Sequence, residues 1–278
     1  MNNDRLRQIT VIVLSITQLA ANALGGAGLL FSNGITVGEI SDSFRTFFTP
    51  AGYTFAVWGP IYLGLTAYAI YQALPSQTER TIHRRVGWLA ASAALSNTIW
   101  TPLFTSAGIY GTEGFSPLIV VLSLVVLAWM LASLAAIFVI IRNMGNALTA
   151  WDRALVEVPF YGYFAWVNVA MVASGTTTLI ALGWEGTQVG PIASSAMIAA
   201  ATLIVASLLL YSNGTPGTVV ILAVLLWALI GVYVGNNPQA ELVGTSAVMA
   251  CGVLVGVGLY RMNNRLETTG SVQTPATA

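Results

Sequence analysis

Apolar residues in this chain run in blocks of about twenty, set apart by short polar stretches. A bilayer core of about 30 Å takes roughly 20 apolar residues per helix, so the blocks read as membrane-spanning helices. The pattern predicts eight, at 9–31, 50–74, 87–110, 117–141, 154–182, 190–211, 217–235 and 241–260. The expected fold class is an all-α, polytopic membrane helix bundle. Of the breaks, 32–49 carries Asn33-Gly34, Glu39, Asp42 and Arg45, and 75–85 carries Glu79, Arg80, His83, Arg84 and Arg85. The remaining connections are short. Arg5 and Arg7, the apolar run from Ile9 and the Ala21-Asn22-Ala23 stretch have the outline of a secretory signal. The run continues through Leu29, Leu30 and Phe31, past the usual signal core, and reads as a retained first helix.

Charge placement tests the span count. With eight spans, the side holding both termini receives Arg5, Arg7, Arg80, Arg84, Arg85, Arg142, Arg153, Arg261 and Arg265, and the other side receives only Arg45. Cytoplasmic loops are the arginine-rich ones, so both termini are expected in the cytoplasm of a multi-pass cell-membrane protein. Loop 32–49 is then expected outside, and the polar residues 263–278 as a disordered cytoplasmic tail.

Composition agrees and removes several functions. Hydrophobic residues make up 56% of the 278 and charged residues 7%, against about 25% charged in a soluble domain. The formal net charge is zero, which offers nothing to a nucleic acid. All ten basic residues are arginine. Without lysine there is no Schiff base to retinal or pyridoxal and no ordinary phosphate-binding loop. Cys251 and His83 are each the only residue of their type, so one chain forms neither a disulfide nor a two-histidine ligand pair.

Few ionisable groups fall inside the spans. Glu157 is expected near the cytoplasmic interface, where a helix N-terminus favours a carboxylate, with proton coupling as its other reading. His83 is expected to be solvated in its loop. Cys251 reads as small apolar packing. Gly252 and Gly256 form a G-x-x-x-G pair that permits close helix approach and a possible homodimer. No catalytic constellation is visible, and the expectation is that the protein is not an enzyme.

Aromatic residues carry the functional signal. The second span places Tyr53, Phe55, Trp58 and Tyr62 around Pro60. The third reads N-T-I-W-T-P-L-F at 97–104, with Asn97, Trp100, Pro102 and Phe104. The fifth reads P-F-Y-G-Y-F-A-W-V-N at 159–168, with Pro159, Tyr163 and Trp166. Asn97 and Trp100 share a helix face by their spacing, and a buried asparagine in lipid needs a partner. Prolines inside spans are expected to bend all three helices and open space between them. Trp88, Trp151 and Trp184 sit at span ends and suit interfacial belts. Trp58, Trp100 and Trp166 lie deeper and suit the walls of a pocket for a planar apolar molecule.

These segments resemble the TspO/translocator-protein family of tryptophan-rich sensory proteins. V-W-G-P-I-Y at 57–62 matches the family's V-W-x-x-L-Y core, and 97–104 matches N-x-x-W-x-P-x-F-F, with Thr105 for the last Phe. The fifth segment matches P-Y-x-x-W loosely, Tyr163 standing for the tryptophan. Tyr53 likewise replaces a tryptophan, one residue out of step. The resemblance covers about 9–184 and implies a five-helix unit at 1–186. Three additional helices at 187–262 would lie outside it. It further implies a receptor-like binder of porphyrin, haem or a similar ligand, held beneath a lid formed by loop 32–49, with no cofactor required. The expected contact residues are Tyr53, Phe55, Trp58, Tyr62, Asn97, Trp100, Phe104, Tyr163 and Trp166. A facilitative small-molecule transporter is the alternative reading.

Overall fold

Helices begin and end where the sequence supplies the chemistry for it. The computed structural model describes residues 3–29, 34–44, 49–184, 190–213, 216–236 and 241–270. Helix α1 (Asn3–Gly26) is followed by the short α2 (Val37–Ser43). In α2, Thr36 and Glu39 form a reciprocal capping box, satisfying two backbone donors of the first turn. A 3-10 turn, Gly52–Val57, leads into α3 (Trp58–Ala73), and α4 spans Thr81–Thr105. Helices α5 (Pro117–Met144), α8 (Pro191–Tyr211) and α9 (Pro216–Asn236) start on proline, whose missing N–H would be unpaired in a first turn anyway. Gly145 ends α5 at φ 42, a backbone conformation that favours glycine. A second capping box, Thr149 with Asp152, opens α6 (Ala150–Asp152). A π-helical turn, Arg153–Glu157, carries α6 into α7 (Val158–Ala181), and α10 (Glu241–Gly270) closes the chain.

Five long helices form a ring. α1 packs on α3 and α4, α4 on α5, α5 on α7, and α7 returns to α3. The other three lie outside it: α9 packs on α7 and on the 3-10 turn, and α10 joins α9 to α8. Large apolar side chains such as Leu63, Ile192, Leu203 and Met249 face outward, as a bilayer requires. Among the described residues, six helices are long and apolar enough to cross a membrane. The two long helices missing from that set are α3 and α4, which carry two of the three aromatic segments.

Several expectations need correction. The second span does not start as an α-helix at 50; its first part is the 3-10 turn, and α3 proper has 16 residues. Of the three intramembrane prolines, only Pro102 lies inside a helix. Pro60 falls in the first turn of α3, directly after the 3-10 turn, and Pro159 in that of α7, directly after the π-helical turn. α4 begins at Thr81, so His83 is not in a solvated loop but buried in the helix's first turn. α10 continues to Gly270, past the point where the polar tail was expected; 271–278 lies outside the described residues.

The arginine-rich end is a network rather than a set of solvated charges. Arg80 reaches the buried Asp152 with two bonds, 2.6 and 2.8 Å, and Tyr71 OH and Thr149 also bond this carboxylate. Arg84 clamps Asp4 at 2.6–3.1 Å. The buried Arg7 bonds Asp4 and the Thr78 carbonyl, its stem lying so close over Gly87 that a Cβ there would come within 2.5 Å of Arg7 Cδ. Burial works to raise the Asp152 carboxyl, but its bonds from Arg80 and Thr149 outweigh this and hold it below the usual carboxylate range. Burial pushes the His83 imidazole down to about 4, with Arg80 and Arg7 adding to the effect and Asp152 opposing it.

Candidate functional site

Four elements converge at the end of the ring opposite the arginine network. The 3-10 turn delivers Phe55, and α3 opens on Trp58 with Tyr62 one turn later. Their rings stack at 5.1 Å and 11°. On α4, Trp100 and Phe104 stack in the same way, at 5.2 Å and 8°. From α7, Trp166 meets Trp58 and Phe55 edge-on at 6.1 and 6.2 Å. Flat faces are thus held by edge contacts from behind, an arrangement aromatic quadrupoles favour.

Between these walls lies a cavity of about 380 Å³, lined by Phe55, Trp58, Tyr62 and Trp100, with Asn22 and Thr101 as polar points. A smaller void of about 50 Å³ adjoins it, sharing Phe55, Trp58 and Trp100 and adding Phe104 and Trp166. Thr36, Val37 and Gly38, at the start of α2, line the larger cavity. The part of loop 32–49 that is described therefore lies against the site, as a capped helix. Residues 32–33 and 45–48 of that loop, including Arg45, lie outside the described residues. α2 is tied down through Phe44, which stacks on Tyr110 at 4.9 Å, and through Ser43 Oγ, which accepts from Tyr110 N.

Beneath the cavity runs a polar floor. Asn97 Nδ2 donates to Tyr163 OH at 2.8 Å and to Tyr62 OH at 3.3 Å. Asn22 Nδ2 donates to Asn97 Oδ1 at 3.1 Å, Thr101 Oγ1 to Asn22 Oδ1 at 2.9 Å, and Tyr163 OH to Met130 Sδ at 3.0 Å. The floor joins α1, α3, α4, α5 and α7. One polar atom on the wall has no partner: Trp100 Nε1 is buried and makes no hydrogen bond among the described residues. An unmet donor in a dry wall carries its desolvation cost until something accepts from it.

Of the residues expected to touch a ligand, Phe55, Trp58, Tyr62, Trp100, Phe104 and Trp166 line the two voids, while Asn97 and Tyr163 sit below as floor. Tyr53 is turned away. It is half exposed and packs edge-on against Trp227 of α9 at 5.2 Å. With three residues per 3-10 turn, helical spacing from Trp58 does not apply to it. Thr36, Val37 and Gly38 belong to the loop expected as a lid, while Asn22, Gly52 and Thr101 were missed. The available signal was Gln18 with Asn22, two amides one turn apart in a helix otherwise apolar there.

The wall is braced from outside the ring. Trp227 Nε1 donates to the Thr54 carbonyl and Ala51 N to the Gly231 carbonyl, both at 2.9 Å. A Cβ on Gly231 would collide with the Thr54 side chain, and one on Gly235 would lie 2.9 Å from Ala51 N. Trp227, Gly231 and Gly235 share one face of α9, and that face grips the turn carrying Phe55.

Glu157 is buried at the end of the π-helical turn. Arg153 Nη1 donates to its Oε2 at 3.0 Å, and its other oxygen faces Gly217 in the first turn of α9.

No curated protein and no solved structure matches the chain. The sequence pattern of the family described as TSPO-like protein, in contrast, matches residues 8–260, continuing through α8, α9 and α10 instead of stopping after the fifth long helix. With its all-helical, apolar, multi-pass architecture, the chain belongs to the TSPO-like family.

Proposed function

We propose that this membrane protein binds, and thereby senses, a planar apolar ligand of porphyrin type between α3, α4 and α7 beneath α2, without chemical conversion. The observation that carries this reading is Trp100. Its ring stacks on Phe104, its face fronts the cavity, and its indole N–H is buried without an acceptor. A ring ligand with a polar edge would supply both the stacking partner and the acceptor. The cavity lies within the range of about 300–1,000 Å³ found for small-molecule sites. Among the described residues its lining holds no His, Cys or Met, and its one tyrosine, Tyr62, is engaged by Asn97, so it suits a stacked, metal-free ring better than a haem needing an axial ligand. The closed floor favours retention over passage, and with it binding over facilitated transport.

On this reading residues 1–186 form the binding unit and 187–262 its brace. The arginine asymmetry argues for the cell membrane with both termini cytoplasmic, and the open Gly252/Gly256 face of α10 suits a homodimer.

The test is titration of the purified full chain with protoporphyrin IX, followed by the porphyrin's own absorption band. Trp100→Leu and Trp58→Leu should each weaken Kd about tenfold, some 1.4 kcal/mol. Trp88→Leu, on the lipid-facing surface, should leave it unchanged. Equal affinity in all three variants would remove the pocket.

A further inference from the structure

Below the pocket floor, five buried polar atoms have no hydrogen-bond partner among the described residues: Gln18 Oε1, Tyr68 OH, Gln72 Oε1, His83 Nδ1 and Arg7 Nε. Contacts between neighbouring residues relate them. Asn22 of the floor donates to the Gln18 carbonyl at 2.9 Å. A void of about 10 Å³ lies beside Gln18, lined also by Tyr68, Ser15 and Tyr163. The Tyr68 ring is 6.0 Å from that of His83, and Gln72 stands one turn beyond Tyr68 on α3. Gln72 and Gln8 bond each other's main chain, and Gln8 and Arg7 both bond Thr78.

The roles of these atoms are fixed by their neighbours. Gln72 Nε2 donates to the Gln8 and Ala69 carbonyls, so its free oxygen is an acceptor. His83 Nε2 faces Gln77 Oε1 at 3.2 Å, an oxygen that already accepts from Arg80. The imidazole proton therefore sits on Nε2, and Nδ1 presents a lone pair. The five comprise three acceptors (Gln18 Oε1, Gln72 Oε1, His83 Nδ1), one donor (Arg7 Nε) and one hydroxyl able to do either. An anion would satisfy the donor and face the acceptors unfavourably. A metal cation would satisfy the acceptors and meet the Arg7 charge. Only a molecule that both donates and accepts serves every group, and at Gln18 and Tyr68, the two that border the void of about 10 Å³, the space admits one no larger than water.

We propose that the void between Gln18 and Tyr68, in the centre of the five-helix ring, is an internal water site that holds one molecule. The floor of the pocket then rests on a bound water at this point, not on close-packed carbon. This inference stands whether or not the pocket takes a porphyrin.

Two measurements on the full chain test it. A brief X-ray pulse turns bound water into hydroxyl radicals that label adjacent side chains. Tyr68, 1% exposed, should be labelled several-fold faster than Phe138, which is also buried but lies among Tyr161 and Phe164. Equal rates would overturn the site. In the second measurement Tyr68→Phe should lower the Tm, because a bound water loses a partner. In a dry core the same change removes an unmet hydroxyl, so an unchanged or raised Tm would also overturn it.

Discussion

The ring and the three helices beside it solve the same problem, a helix bundle in lipid, by opposite means. Within the ring, Asn97, Asn22, Tyr62, Tyr163, Thr101 and Met130 hold five helices together through side-chain hydrogen bonds. Stacked aromatics there keep open a space that closer packing would fill. In the outer group, Ile198, Val232, Val243, Ala247 and Ala250 form a small apolar cluster, and approach is set by glycine: Gly258 leaves room for Leu222, and Gly244 for Tyr233. One unit uses polarity to specify positions, the other small size to allow contact. Hydrogen-bonded cores fix geometry at the expense of density, while small-residue contacts give rigidity without chemistry. The joint between them is α9, whose glycine face bears on the turn that carries Phe55.

The comparison is most exposed to attack at Asn97. Asn97→Leu keeps the volume and strands the Tyr163, Tyr62 and Asn22 groups, and should destabilise the protein by about 3 kcal/mol. A Tm in detergent close to that of the parent would mean that the ring is as plainly packed as the outer group.

Gly231→Val should have the next largest effect. Overpacking against Thr54 costs about 2 kcal/mol and shifts the turn bearing Phe55. Protoporphyrin binding should weaken although no pocket residue is changed. If binding survives while Tm falls, α9 supports the fold but not the site.

A smaller effect concerns pH. The folded pKa of His83, about 4, lies below its ordinary 6.5, so between these values the unfolded chain binds a proton that the folded chain refuses. Stability should be full above pH 6.5 and should fall as pH drops towards 4. His83→Gln should flatten that part of a Tm-versus-pH curve, and an unaltered curve would assign the slope to other groups. The Asp152 carboxyl, depressed by its bonds from Arg80 and Thr149, adds its own loss as pH falls below its ordinary 3.8.

The least effect is expected at Gly252 and Gly256, where an added Cβ would meet nothing within 4 Å. Gly252→Leu should alter the monomer's stability by less than about 0.5 kcal/mol. A shift in sedimentation without a change in Tm would identify this face as the contact between two copies.

What the residues disclosed in advance was local. Trp58 with Tyr62, and Asn97 with Trp100, are three or four apart in a helix, and that spacing alone places each pair on one face. That Asn97 needed a partner followed from its burial in lipid. That the partner is Tyr163, from a helix distant in sequence, depends on how the ring closes. Tyr53 escaped because the local backbone is a 3-10 turn, and composition does not distinguish that from α-helix over six residues. His83 and Asp152 escaped for a different reason. A histidine among arginines looks solvated until α6 brings a carboxylate and α1 covers the first turn of α4. The role of α9 was hidden because its signal is two glycines, Gly231 and Gly235, in a helix where glycine is common.

One contact at the arginine-rich end has a mechanical consequence. The stem of Arg7 lies across Gly87, its guanidinium held by Asp4 and the Thr78 carbonyl, while Arg84 holds Asp4 from the same helix. This works as a bolt: α1 cannot slide along α4 like a piston without drawing a charged group out of its socket. The freedom left to α1 is a pivot about that end, with its greatest swing at the far tip, where Asn22 borders the pocket. Any widening of the pocket on the α1 side is therefore a tilt with a fixed fulcrum, one whose origin is a glycine on the neighbouring helix.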